Sequence, residues 1–347
     1  MKRLSIPAAL LLLAACGDDA KTDNDFAKEV VAGMRSGLAT DLESMAAGAR
    51  ELCAAAPTPS GRGWDANQDA AAIAAMKTAW IRTRAGYERT EGALAPIFPD
   101  IDFSIDARYD DFLTELGEGG DSSPFDGEGV TGMHAVERIL YAPEIPPHVI
   151  DFEKIIPGYN AAAFPLGEAD ATAFKTGLCA RMVSDAESLR DQWAAADGYD
   201  LGAAFQGLIG LMNEQKEKVN KAASSEEESR YSQRTMADLR DNLAGSRKVY
   251  ALFQPWILAK DGGAAVDADV LAGFDQLDAL YGAVSGAFIP QPPATWSSEN
   301  PSPADLASDF GKLYSGVRTA VDPNRAGSIV DRLNQAAVLM GFMATQE

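Results

Sequence analysis

His134 and Glu137, three residues apart in Gly132-Met-His-Ala-Val-Glu137, put an imidazole and a carboxylate on one helix face, in a chain with only two histidines. Such a pair is half of a metal site. It also fits a histidine hydrogen-bonded within packing. Thr131 can cap the helix, which places His134 in the first turn, where the positive end of the helix dipole disfavours imidazolium. A second source of ligands lies upstream. The stripe Ile73, Met76, Trp80, Arg84, Tyr87, Glu91, Leu94 steps by three or four residues and starts and ends apolar, so it faces a core. Its middle nevertheless carries Arg84, Tyr87 and Glu91, with Glu88 beside them. Charges on an inward stripe need a partner or a metal. A buried salt bridge from Arg84 to Glu88 or Glu91 satisfies the same spacing. The run Asp100 to Asp111 adds five aspartates. Ser104 or Asp106 could cap a following helix there, or one or two carboxylates could turn inward.

Other chemistries fit less well. The chain lacks His-Glu-x-x-His, and two histidines cannot build a His-rich zinc site. It has no Gly-x-Ser-x-Gly elbow. The prominent glycines, Gly117 to Gly120, sit among acids, which would repel phosphate. The Asp100–Asp111 run lacks the glycine and terminal glutamate of a calcium-binding EF-hand. A ferritin-like di-iron site would need Glu-x-x-His on two helices, and here only one histidine is in place. His148, in Pro-Pro-His-Val, reads as a loop residue with no role.

The elements that must position these groups read as helices throughout. Apolar residues at Phe26, Val30, Met34, Leu38, Leu42 and Met45 recur near every 3.6 residues, predicting a helix over Phe26–Ala56 that ends before Pro57. Further helices are predicted over Asn67–Ile97, Ala107–Leu116, Gly132–Tyr141, Asp170–Ala194, Leu201–Ala223, Arg230–Leu258, Asp267–Ala287, Pro303–Val321 and Asn324–Ala344. Pro143, Pro146, Pro147 and Pro157 mark a long connection. No strand-like alternation of useful length appears. The expected fold class is all-α, two helical-bundle-like halves with a cleft between them, residues 26–197 carrying the candidate site and residues 198–347 forming the second half.

The start of the chain bears on location. Lys2 and Arg3 precede a short apolar run, and Leu13-Ala-Ala-Cys16 has the shape of a lipobox. Residues 1–15 read as a lipoprotein signal peptide, Cys16 as the lipidated residue and 16–25 as a tether. The apolar run is shorter than the about 20 residues that span a bilayer. The formal charge of −21 becomes −23 once Lys2 and Arg3 are removed. That balance excludes nucleic acid as a partner and attracts cations. An oxidising compartment would allow Cys53 and Cys179 to pair.

Several segments, in order, carry a resemblance: Tyr87-Glu-Arg-Thr-Glu91, Phe98-Pro-Asp-Ile-Asp-Phe-Ser-Ile-Asp-Ala-Arg-Tyr-Asp-Asp111, Gly132-Met-His-Ala-Val-Glu137, then Glu227-Glu-Ser-Arg-Tyr-Ser232 with Asp238-Leu-Arg-Asp-Asn-Leu-Ala-Gly245. From about Phe26 onward the chain resembles the imelysin-like family, in particular its EfeO/EfeM branch of bacterial iron-uptake proteins. The resemblance implies a periplasmic, lipid-anchored, monomeric protein that binds a divalent or trivalent cation. It would deliver that cation to a membrane iron permease or a surface receptor. By match to the motifs, Glu88, Glu91, Asp106, His134 and Glu137 are the implied metal ligands. Arg84 and Tyr87 would orient them, and Arg230 and Tyr231 would close the site from the second half. Carboxylates with one imidazole suit iron or zinc. Iron over zinc or copper rests on the resemblance, since the Irving–Williams order favours copper and zinc. The family's other implied activity is that of a metallopeptidase acting on envelope peptides. A module binding an acidic polysaccharide is a third reading, opposed by the negative charge.

Overall fold

The structure, a computed structural model, describes residues 21–120 and 122–344. The signal peptide and Cys16 lie outside the described residues. α1 (Asp23–Ala55) starts at a reciprocal cap: Thr22 Oγ accepts from the Asp25 amide, and the Asp25 carboxylate accepts from the Thr22 amide. Its stripe from Phe26 to Met45 is buried as the 3.6-residue period requires. α2 (Ala70–Glu88) follows, with α3 (Glu91–Leu94), α4 (Pro99–Asp106), α5 (Tyr109–Gly117) and α6 (Gly132–Leu140). A single 3-10 turn (Ala142–Glu144) leads to α7 (Pro147–Glu153), α8 (Glu168–Thr176) and α9 (Leu178–Ala195). The remaining helices are α10 (Leu201–Lys221), α11 (Thr235–Leu258), α12 (Gly263–Gly282), α13 (Pro303–Leu306), α14 (Asp309–Val321) and α15 (Ile329–Leu339). No strand occurs among the described residues. No described helix is long and apolar enough to cross a membrane.

α1 packs along α2 and α9, and α10, α11, α12, α14 and α15 pack on one another. The two sets are joined by α1 and α2 against α11 and by α3 against α10. Gly86 permits the close approach of α2 to α1, since a Cβ there would stand 2.7 Å from the Asp41 carbonyl. Cys53 on α1 and Cys179 on α9 form a disulfide with Cα atoms 5.7 Å apart.

Three long helices expected from periodicity are broken: the one over Pro303–Val321 locally, where the Ser308 hydroxyl caps α14 by accepting from the Gly311 amide at 3.0 Å, and two others with the help of tertiary contacts. The helix expected over Asn67–Ile97 is α2 and α3, interrupted at Arg89 and Thr90. Thr90 Oγ donates to the Tyr87 carbonyl (2.9 Å), and Asn242 Nδ2, reaching from α11, donates to the Glu88 carbonyl (3.1 Å). The Tyr87 carbonyl also accepts from the Thr90 amide at 2.7 Å in a tighter turn, so the regular ladder stops there. The expected Asp170–Ala194 helix is split at Gly177, where the Leu178 amide turns to the Phe125 carbonyl at 3.1 Å. Asp106 ends α4 instead of capping α5. His148 lies in α7, not in a loop. Arg230 precedes α11, because residues 222–234 form a turn-rich loop that enters the interior.

Candidate metal centre

Three elements converge at the junction of α4, α6 and the 222–234 loop. α4 ends at Asp106, and α6 starts with Gly132 packed against that end. Gly132 has φ +80°, and a Cβ there would lie 2.4 Å from the Ile105 carbonyl, so the position requires glycine twice over. This contact delivers His134, in the first turn of α6, to Asp106. The indole of Trp80 donates to the Met133 carbonyl (2.9 Å) and ties α6 to α2.

His134 is buried, with 2% of its surface exposed. Its two ring nitrogens have different neighbours. Nδ1 lies 3.2 Å from Glu137 Oε2, and Glu137 Oε1 is held by the Ser232 amide (2.8 Å) and hydroxyl (2.7 Å). Nε2 lies 3.3 Å from Asp106 Oδ1 and has no well-directed hydrogen-bond partner. A carboxylate behind Nδ1 with Nε2 presented inward is the arrangement that fixes the tautomer of a metal-ligating histidine. Asp106, His134 and Glu228 each place a ligand atom within 4.8 Å of the others.

Glu228 comes from the 222–234 loop. It also belongs to a second trio, Glu88, Glu228 and Asp238, with the same 4.8 Å spacing. The Arg84 guanidinium fills that trio. It pairs with Glu88 and Asp106, lies 2.8 Å from Glu228 Oε1 and comes within 3.8 Å of Asp238. Arg84 therefore makes the salt bridge to Glu88 that its i, i+4 spacing allows, and a wider set of ion pairs besides. Lys218 on α10 approaches from the other side, 2.9 Å from Glu228 Oε2 and 3.4 Å from Glu91 Oε2. Asn242 donates to Glu88 (2.5 Å) and Glu91 (2.9 Å). A cleft of about 300 Å³ opens onto this cluster, lined by Glu91, Asp106, Glu214, Glu217, Lys218 and Glu228 among others.

The electrostatics follow from burial and pairing. Burial pushes Glu88 and Glu91 up, and Arg84 and Lys218 only partly offset it. Burial also works against Asp106 and Glu228 as anions, yet Arg84 and His134 hold Asp106 well below the usual carboxylate range. Lys218 and Arg84 bring Glu228 down to about 2. Asp238 is pushed up to about 7 by burial, with Arg84 opposing and Glu228 adding to the rise. His134 is raised: burial lowers it, but Asp106 and Glu137 outweigh that. The two carboxylates thus oppose the helix dipole, which disfavours imidazolium. A cation binding at Nε2 would need that nitrogen unprotonated.

Of the residues expected at the site, the structure brings Asp106, His134 and Glu88 into one cluster around Arg84. Glu137 stands behind His134 rather than beside Asp106. Glu91 faces Lys218 and Asn242 at the cleft. Tyr87 donates to Asp102 (2.7 Å). Arg230 pairs with Asp110 and Tyr231 donates to Glu153 (2.6 Å), in a neighbouring buried network that includes Arg138, 3.0 Å from Glu153. Their contacts are to that network, not to His134. The residues that sequence reasoning did not single out are Glu228, Asp238, Lys218, Asn242 and Ser232. Glu228 was hidden in three consecutive glutamates, Glu226 to Glu228, which look like a solvated run.

Fold and site together define an all-helical protein with a buried carboxylate–imidazole centre at the base of an acidic cleft. The imelysin family model (Peptidase M75) matches residues 18–300, and the chain belongs to that family. It is 27% identical over 290 residues to an Efem/EfeO family lipoprotein of Staphylococcus haemolyticus, covering 81% of this chain and 85% of that one. It is also 27% identical over 217 residues to the iron uptake system component EfeM of Pseudomonas syringae, covering 62% of each. Among solved structures, an imelysin-like protein from Psychrobacter arcticum aligns over 93% of this chain and 96% of its own, with a TM-score of 0.52 at 13% identity. A protein from Parabacteroides distasonis described as a putative iron-regulated protein A precursor aligns over 93% and 97%, with a TM-score of 0.54 at 14% identity. These two show the shared helical fold.

Proposed function

We propose that this chain is a lipid-anchored, metal-binding component of a bacterial iron-uptake system, exposed in the periplasm. It captures a cation, iron in the first place, with Asp106, His134 and Glu228, and Glu88 and Glu91 stand close by. It then hands the cation to a membrane permease or surface receptor. The observation that carries this reading is the buried His134 Nε2, held in place through Glu137 and lacking a well-directed partner, within 4.8 Å of two carboxylates. The printed names of the Staphylococcus and Pseudomonas relatives support the iron-uptake setting. A metallopeptidase would need an open metal position with a general base beside a bound water. Here Asp106 is engaged by Arg84, Glu228 by Arg84 and Lys218, and Glu137 by Ser232, so no carboxylate beside His134 is left as a general base, which favours binding over hydrolysis.

The test is titration of the purified protein with Fe(II), Fe(III), Zn(II) and Cu(II), with His134→Ala and Glu91→Ala as variants, and a parallel peptide-cleavage assay. The expected result is stoichiometric binding that His134→Ala abolishes and Glu91→Ala weakens, without peptide turnover. Absence of stoichiometric binding would sink the site. Metal-dependent cleavage lost with His134→Ala would replace transport by hydrolysis.

A further inference from the structure

Glu228 is claimed by three parties. It belongs to the trio with Asp106 and His134, it pairs with Arg84, and it pairs with Lys218. For Glu228 to ligate a cation, one counter-ion must give way. Arg84 cannot do so readily. Its guanidinium is bound by Glu88 and Asp106 as well, lies near Asp238, and is 2% exposed. It cannot lose its charge either, because a guanidinium stays protonated. Lys218 is placed differently. Lys218 lines the cleft, and beyond Glu228 its ammonium group donates to Asn242 Oδ1 at 3.2 Å, lies 4.0 Å from Glu88 and makes only long contacts with Glu91, at 3.4 and 3.5 Å. One turn earlier on α10, Glu214 lines the same cleft at i−4, has no ion pair within 4 Å among the described residues, and is within range of a swung lysine.

From this geometry we infer that Lys218 is the displaceable counter-ion of the centre, which a bound cation expels from Glu228 toward Glu214 and which returns to drive the cation out. The inference rests on the metal-binding reading above and adds the regulation of that site. Both Glu228 oxygens lie within 3.1 Å of Lys218 Nζ. A cation held at about 2.1 Å from one of them would therefore sit within about 5 Å of the ammonium group if Lys218 stayed in place. Two positive charges at that range repel strongly in a partly buried site. The lysine thus weakens binding and speeds release, which a protein that must hand over its cargo requires. Glu228 exchanges the ammonium group for the metal and the ammonium group exchanges Glu228 for Glu214, so each positive charge keeps a carboxylate beside it, and the added charge of the metal is offset in part by the surrounding carboxylates Asp106, Glu88 and Glu91.

The experiment compares the full chain with Lys218→Met and Lys218→Arg, using Zn(II) and Fe(II) salts as probes. Affinity is measured by titration, release by stopped-flow transfer to a chelator, and folding by circular dichroism. Lys218→Met is expected to bind about tenfold to a hundredfold more tightly and to release correspondingly more slowly. Lys218→Arg, which restores the charge, is expected to return both toward the parent. A structural defect would weaken binding, so the sign separates the two roles. Unchanged or weaker affinity in folded Lys218→Met overturns the inference while leaving metal binding intact. If the parent chain binds neither cation, the functional reading fails first and this inference with it.

Discussion

At the scale of the residue, the centre is a set of buried carboxylates, one imidazole and two cationic side chains held against one another. Two of its neighbours make a prediction about pH. Asp238 and Glu227, buried at 3% exposure each, are raised to about 7, Asp238 by burial and Glu228, Glu227 by burial with Gln233 and Arg230 opposing. In the unfolded chain such carboxyls release their protons near pH 4. The folded state therefore binds more protons between about pH 4 and 7, and stability falls as pH rises through that window. The raised His134 acts in the same direction, since its stabilisation is present below the unfolded value and lost as pH rises through the folded one. The metal-free protein should melt at a higher temperature at pH 5.5 than at pH 7.5 in thermal melts at fixed ionic strength. Asp238→Asn should flatten the difference, and a melting temperature that rises with pH across this range would contradict the assignment. His134 stood out in the sequence because it is one of two histidines and sits among apolar residues, whereas Asp106, one of five aspartates in its run, came only from the resemblance. Glu228 was not legible, because nothing local distinguishes a glutamate turned inward from its two solvated-looking neighbours.

Among elements, the decisive contact is the meeting of the α4 end with the α6 start. Gly132 makes it possible, which gives the first glycine of the Gly-x-His-x-x-Glu signature a physical role distinct from that of the ligands. Gly132→Ala would force a Cβ into the Ser104 and Ile105 carbonyls at 2.7 and 2.4 Å and would strain a positive φ. The expected cost is about 2–4 kcal/mol in stability from overpacking and backbone strain together. The helices must also part, so metal affinity should fall at least tenfold even where the protein remains folded, as read by chemical denaturation and by titration. Unaltered affinity in a folded Gly132→Ala would mean that the α4–α6 junction does not set the site. The helices themselves were readable from periodicity. Their interruptions at Thr90 and Leu178 were not, because Asn242 and the Phe125 carbonyl, far away in sequence, decide where the ladders stop.

Over the whole molecule, the Cys53–Cys179 bond joins α1 to α9 across 126 residues of chain. Closing so long a loop in the unfolded state is worth about 2–5 kcal/mol. Reduction should therefore lower the melting temperature by on the order of 5–10 °C. Metal affinity at room temperature should be unchanged, since neither cysteine touches the centre. Equal melting curves with and without reductant would show that the bond contributes nothing. Sequence could offer the pairing only as permitted, for it contains no distance. The packing of α1 on α11 was likewise invisible, since both helices bury apolar stripes that fit many partners.

The origin of Glu228 has a consequence in time. Asp106 and His134 emerge early from the ribosome, whereas Glu228 follows only after α10 has been made, nearly a hundred residues beyond His134. A nascent or partly folded chain holds an imidazole and carboxylates but not the assembled trio. On the metal-binding reading proposed above, the first cation to fill the centre would be chosen by the medium in which the chain completes its fold, not by the medium in which it is synthesised.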